Sequence, residues 1–91
     1  MTLDELYNVI KDRQKNLPEK SYVASLFRGG KDRVIQKVGE EATEVVIAAK
    51  NEGKKRIVEE SADLIFHLLV LLAAADITPD EIFEELEKRS R

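Results

Sequence analysis

Lys37-Val38-Gly39-Glu40-Glu41-Ala42-Thr43-Glu44, followed beyond Gly53 by Glu59-Glu60-Ser61-Ala62-Asp63, is the stretch from which the chain is best read. Around it Val34, Val38, Ala42, Val45 and Ala49 recur at helical spacing, so the first string lies on a long helix, with Glu41 bordering the apolar stripe, Lys37 and Glu44 next, and Glu40 farthest out. On the following segment Glu60, Asp63, Leu64, His67 and Leu71 share one face. A hairpin through Gly53 brings the two acidic faces together, because both acid pairs sit a comparable distance from the turn. Like charges three or four residues apart cost a helix roughly 0.2–0.5 kcal/mol each. A divalent cation reverses that sign.

The remaining elements follow from caps and stops. Thr2 with Glu5 forms a capping box, and Leu3, Leu6, Tyr7 and Ile10 carry a helix to about Asn16, where Leu17-Pro18 ends it. A connector with a short helix from Ser21 runs to Gly29-Gly30. Asp32 is expected to cap the long helix, which Gly53 stops. Lys54-Lys55-Arg56 opens the next helix, to about Ala75, although cations there oppose the macrodipole. Thr78-Pro79-Asp80-Glu81 starts a last helix running to the C-terminus. The fold class is all-α: one domain over residues 1–91, a small bundle of four to five helices.

Composition narrows the function. With 36% charged residues and a net charge of −3, the chain offers no general attraction for nucleic acid. It has no Cys, which excludes disulfides, thiolate zinc sites and cysteine nucleophiles. The N-terminus does not resemble a signal peptide, and the apolar run from Leu64 to Ala75, interrupted by His67, is too short to span a bilayer. Cytoplasmic residence with no membrane partner is the expectation. That run is apolar nearly all round, more than so short a chain can cover, so a homodimer is expected.

Magnesium prefers oxygen ligands, keeps some waters and commonly joins carboxylates to phosphates. Two acid pairs three residues apart on facing helices supply three or four such oxygens and leave positions for a polyphosphate. Either cluster alone reads as a solvated face offset by Lys37, Lys50, Lys54, Lys55 and Arg56. Two clusters in register, each bordering an apolar stripe, read as a metal site.

The Glu40-Glu41-x-x-Glu44 and Glu60-x-x-Asp63 pattern resembles the signature of the all-α, MazG-like nucleoside triphosphate pyrophosphohydrolases. The longer strings from Lys37 to Lys50 and from Asp63 to Leu72, with Ser21 to Leu26 upstream, resemble one branch, the phosphoribosyl-ATP pyrophosphohydrolases of histidine biosynthesis. The resemblance covers almost the whole chain. It implies magnesium-dependent cleavage of phosphoribosyl-ATP, a small-molecule nucleotide, between its α and β phosphates. It also implies Glu41, Glu44, Glu60 and Asp63 as metal ligands, and Glu40 as the residue that orients or deprotonates water or else supports the ligands. Substrate contacts are expected from Ser21, Tyr22, Lys37 and the cations Arg28, Lys31 and Arg33 near the glycine pair. For Lys37 the alternative is a salt bridge to Glu40 or Glu41, for Tyr22 a place in the core, and for each of Arg28, Lys31 and Arg33 a solvated loop charge. His67 reads as a hydrogen-bonded core residue in preference to a base or ligand.

Two other functions fit parts of the pattern. A housecleaning pyrophosphohydrolase acting on a canonical or damaged nucleotide needs the same acids, since the metal site is indifferent to base and sugar. A non-catalytic helical dimerisation module needs acids countered by bases along a seam, and no sustained heptad with charged flanks is present.

Overall fold

A computed structural model describes residues 1–90 as five helices: α1 (Leu3–Asn16), α2 (Tyr22–Arg28), α3 (Lys31–Asn51), α4 (Lys54–Ala74) and α5 (Pro79–Arg89). Both capping boxes form. Thr2 Oγ1 accepts from Glu5 N at 3.1 Å while Glu5 accepts from Thr2 N at 2.9 Å, and Thr78 with Glu81 repeats the motif at α5. Helix α5 ends at Arg89, and Arg91 lies outside the described residues.

Three local expectations are corrected. Gly30, not Asp32, is the N-cap of α3: its φ of 90° turns the chain sharply into the helix, and Asp32 falls inside the first turn, where its charge still complements the dipole. Gly53 is not a left-handed stop. It is extended and caps the start of α4, while Glu52 ends α3. The inner stripe of α3 ends on fully buried Ala48, with Ala49 exposed. Val34, Val38, Glu41, Val45 and Ala48 thus alternate four and three apart, the pattern of a helix laid along a near-antiparallel neighbour. That places Glu41 within the inner stripe instead of at its border.

Helices α3 and α4 pack along each other as a hairpin, and α1 and α2 cover only part of it. The core joins Tyr7 and Ile10 of α1, Leu26 of α2 and Val34 of α3 to Leu69, Val70 and Ala73 of α4. It therefore sits against the C-terminal half of α4. The turn end of the hairpin has no such cover, and Val46, Ile47 and Val58 there are exposed. The radius of gyration is 14.2 Å, whereas a compact chain of this length has about 12 Å. No single helix among the described residues is long and apolar enough to cross a membrane.

Candidate metal and phosphate site

The hairpin register decides the site. One carboxylate oxygen each from Glu41 on α3 and from Glu60 and Asp63 on α4 lie within 4.8 Å of one another. Glu60 is 7% exposed, the Glu41 side chain is 12% exposed, and Asp63 opens to solvent. The cluster therefore gathers three carboxylates around one point, two of them shielded and one open to water. An all-oxygen set of three carboxylates suits a hard divalent cation such as magnesium, manganese or calcium, and lacks the sulfur or imidazole donors that favour zinc. Glu44 is exposed one turn beyond Glu41 and is not within that 4.8 Å group. Glu40 lies on the flank, accepting from Gln36 Nε2 at 3.0 Å.

Two basic side chains stand against the cluster. Lys37 Nζ is 3.2 Å from Glu41 and 3.7 Å from Glu40. Its pKa is raised, first by the hydrogen bond with Glu41 and then by the charges of Tyr22, Glu41 and Glu40, against the opposing pull of burial. Arg56 Nη2 donates to Glu60 at 2.5 Å, its Nη1 donates to Glu59 at 2.9 Å, and Glu52 lies at 4.0 Å. Its pKa is also raised, chiefly by the Glu59 hydrogen bond. Sequence reasoning counted Arg56 only as a balancing charge. The available signal was its position in the first turn of α4, where a cation is disfavoured unless it has other work.

A hydrogen-bonded relay borders the cluster. His67, 5% exposed, places Nδ1 2.7 Å from the backbone carbonyl of Asp63 and Nε2 2.8 Å from the Tyr22 hydroxyl. A carbonyl only accepts, so Nδ1 carries the proton in the neutral ring, and Tyr22 O–H donates to Nε2. The Tyr22 ring is half exposed, stacked near Phe66 with centroids 6.2 Å apart and set edge-on to His67. The Tyr22 ring is thus held by Phe66 and His67, and Tyr22 is close enough to act electrostatically on Lys37.

The other predicted contacts are placed as follows. Ser21 caps α2, its Oγ accepting from Ala24 N at 3.1 Å. Arg28 turns back to donate to the carbonyls of Leu17 and Pro18, both at 2.8 Å, and so secures the left-handed end of α1. Lys31 and Arg33 are exposed in the first turn of α3; from Arg33 to Glu41 is about 12 Å of helix, a nucleotide-sized span.

A family model described as phosphoribosyl-ATP pyrophosphohydrolase matches residues 3–90. The chain belongs to that family. Among similar proteins, a phosphoribosyl-ATP pyrophosphatase of Methanocella arvoryzae is 56% identical over 98% of this chain and 96% of its own length. One of Sulfolobus acidocaldarius is 49% identical over 98% of this chain and 94% of its own length. One of Geobacter sulfurreducens is 54% identical over 96% of this chain and 81% of its own length. The phosphoribosyl-ATP pyrophosphohydrolase family thus supplies the setting in which the acid cluster is to be interpreted.

Proposed function

We propose that this chain hydrolyses phosphoribosyl-ATP between the α and β phosphates, giving phosphoribosyl-AMP and pyrophosphate in the second step of histidine biosynthesis, in the cytoplasm. The observation that carries the reading is the convergence of Glu41, Glu60 and Asp63 within 4.8 Å, in a chain matched along residues 3–90 by that family. These three carboxylates hold magnesium, with Glu44, exposed one turn away, as a fourth oxygen donor. When bound, the ion neutralises charge on the triphosphate and favours departure of pyrophosphate. Lys37 binds a phosphate oxygen beside it. Glu40, on the open flank, orients the attacking water and accepts its proton. The fixed face of Tyr22 stacks on the base, and Lys31 and Arg33 hold the phosphate of the added ribose.

The active unit is a homodimer. Ile65, Leu68 and Leu72 of α4 line a wholly apolar groove of about 210 Å³ with Leu3 and with Ile82 and Phe83 of α5. A second subunit covers that face; because these side chains are already about half covered, burying the rest of each is worth roughly half of the 1.5–3 kcal/mol of full burial.

The test is product identification by ³¹P NMR with phosphoribosyl-ATP, ATP, dCTP and dUTP in magnesium. Pyrophosphate should appear in one step, with phosphoribosyl-ATP preferred over ATP by at least about a hundredfold in kcat/KM, since the added phosphate makes charge-assisted hydrogen bonds that ATP cannot. Orthophosphate as first product overturns the bond assignment. Equal turnover of all four nucleotides points to a housecleaning enzyme.

A further inference from the structure

Three cations open α4, against the helix dipole, and only one of them is paired. Lys54 and Lys55 are exposed and take part in no ion pair among the described residues, whereas Arg56 spreads across Glu52, Glu59 and buried Glu60. On α3, Lys37 stands four residues before Glu41 just as Arg56 stands four before Glu60. Each shielded carboxylate of the cluster thus has its own cation at the same offset. Basic-before-acidic is the weaker order for a pair on a helix, and in the first turn of α4 Arg56 also opposes the dipole at a cost of about 0.3–1 kcal/mol, so helix stability alone does not account for Arg56. Asp63, the exposed member, has no ion pair among the described residues.

We infer that Arg56, with Lys37, competes with the divalent cation for the acid cluster and is released by it toward the polyphosphate, so that metal and polyphosphate tighten each other's binding. A divalent ion on Glu41, Glu60 and Asp63 meets two carboxylates whose charge is already compensated. The surplus positive charge favours turning an ammonium and a guanidinium outward. The Arg56 side chain is 46% exposed and retains Glu59 as an anchor when it leaves Glu60. A metal-bound polyphosphate then supplies the anionic oxygens that a planar guanidinium binds best. By linkage, whatever polyphosphate does for metal affinity, metal does equally for polyphosphate.

This inference rests on the metal reading above, and the experiment separates the two. Manganese binding to the intact chain is followed by electron paramagnetic resonance, with and without inorganic pyrophosphate and corrected for the manganese–pyrophosphate complex in solution. For wild type, pyrophosphate should tighten manganese binding by about tenfold or more, within the usual range of coupling. Arg56→Gln should bind manganese several-fold more tightly than wild type without pyrophosphate, and should lose most of the tightening by pyrophosphate. Lys55→Gln, the same charge change at an unpaired site, should do neither. Circular dichroism checks the fold, and Arg56→Lys, which keeps charge but not the planar fork, should shift both quantities the same way by less; it carries the test if R56Q does not fold. Weaker manganese binding by R56Q without pyrophosphate, or behaviour matching K55Q, overturns the inference while leaving the metal site standing. No manganese uptake by wild type removes the metal reading and the inference together.

Discussion

Replacing Tyr22 by Phe should destabilise the protein out of proportion to the single oxygen removed, and should damage substrate binding as well. The hydroxyl is the partner of His67 Nε2 at 2.8 Å, and His67 is only 5% exposed. Its loss leaves a shielded nitrogen unsatisfied at a cost of about 1–3 kcal/mol. In a domain of this size each kcal/mol lowers Tm by about 4–8 °C. The aromatic face beside Lys37 also loses one of the contacts that orient it, so KM for phosphoribosyl-ATP should rise more than kcat falls. The assay is a double-mutant cycle with Tyr22→Phe, His67→Leu and the pair. Leucine removes the nitrogen that Tyr22→Phe strands, while the Asp63 carbonyl stays paired within its helix, so the double variant should be less unstable than the sum of the singles. A coupling of at least about 0.5 kcal/mol is expected for residues in contact. Additive effects within about 0.3 kcal/mol, with KM unchanged, would refute the relay.

Leu68→Asp places a charge in the apolar groove at a residue already 40% exposed in its own chain, and should yield a folded monomer on sedimentation; Leu69→Asp, at 4% exposure, should unfold the chain. A wild type that is monomeric at micromolar concentration contradicts the groove assignment. Gly39→Ala should stabilise the protein by up to about 1 kcal/mol in thermal melts, because Gly39 is mid-helix and an added Cβ meets nothing within 4 Å. A rise in KM with that gain in Tm identifies Gly39 as clearance for substrate, and a loss of stability contradicts the open face.

The acid clusters were legible because carboxylates three and four residues apart can only share a helix face, and one short turn leaves little choice of register. The same spacing could not fix rotation by a single residue. The packing of α3 on α4 puts Ala48 rather than Ala49 inside, carries Glu41 into the inner stripe and leaves Glu44 outside the closest group. The caps at Thr2 and Thr78 were readable since each is a contact between residues three apart. Tyr22 and His67 are 45 residues apart, and no local pattern records their hydrogen bond. Arg28 illustrates the same limit: a loop arginine near a glycine pair reads as an anion contact, yet its donors reach carbonyls ten and eleven residues back. Gly30 and Gly53 were both visible as breaks, but which side of the break each glycine serves depends on backbone angles set by the helices that follow.

The central claim is that Glu41, Glu60 and Asp63 together hold a divalent cation. It is tested most directly by the magnesium-induced rise in Tm of wild type and of Glu41→Gln, Glu60→Gln and Asp63→Asn. At magnesium ten times its Kd the expected stabilisation of wild type is RT ln 11, about 1.4 kcal/mol, or a rise of about 6–11 °C. Without magnesium, relief of repulsion within the 4.8 Å cluster offsets the ion pair that Glu41→Gln loses with Lys37 and Glu60→Gln with Arg56, so those two should melt close to wild type and Asp63→Asn at or slightly above it. With magnesium, all three variants should lose most of the rise. A rise of wild-type size in two or more of them contradicts the account.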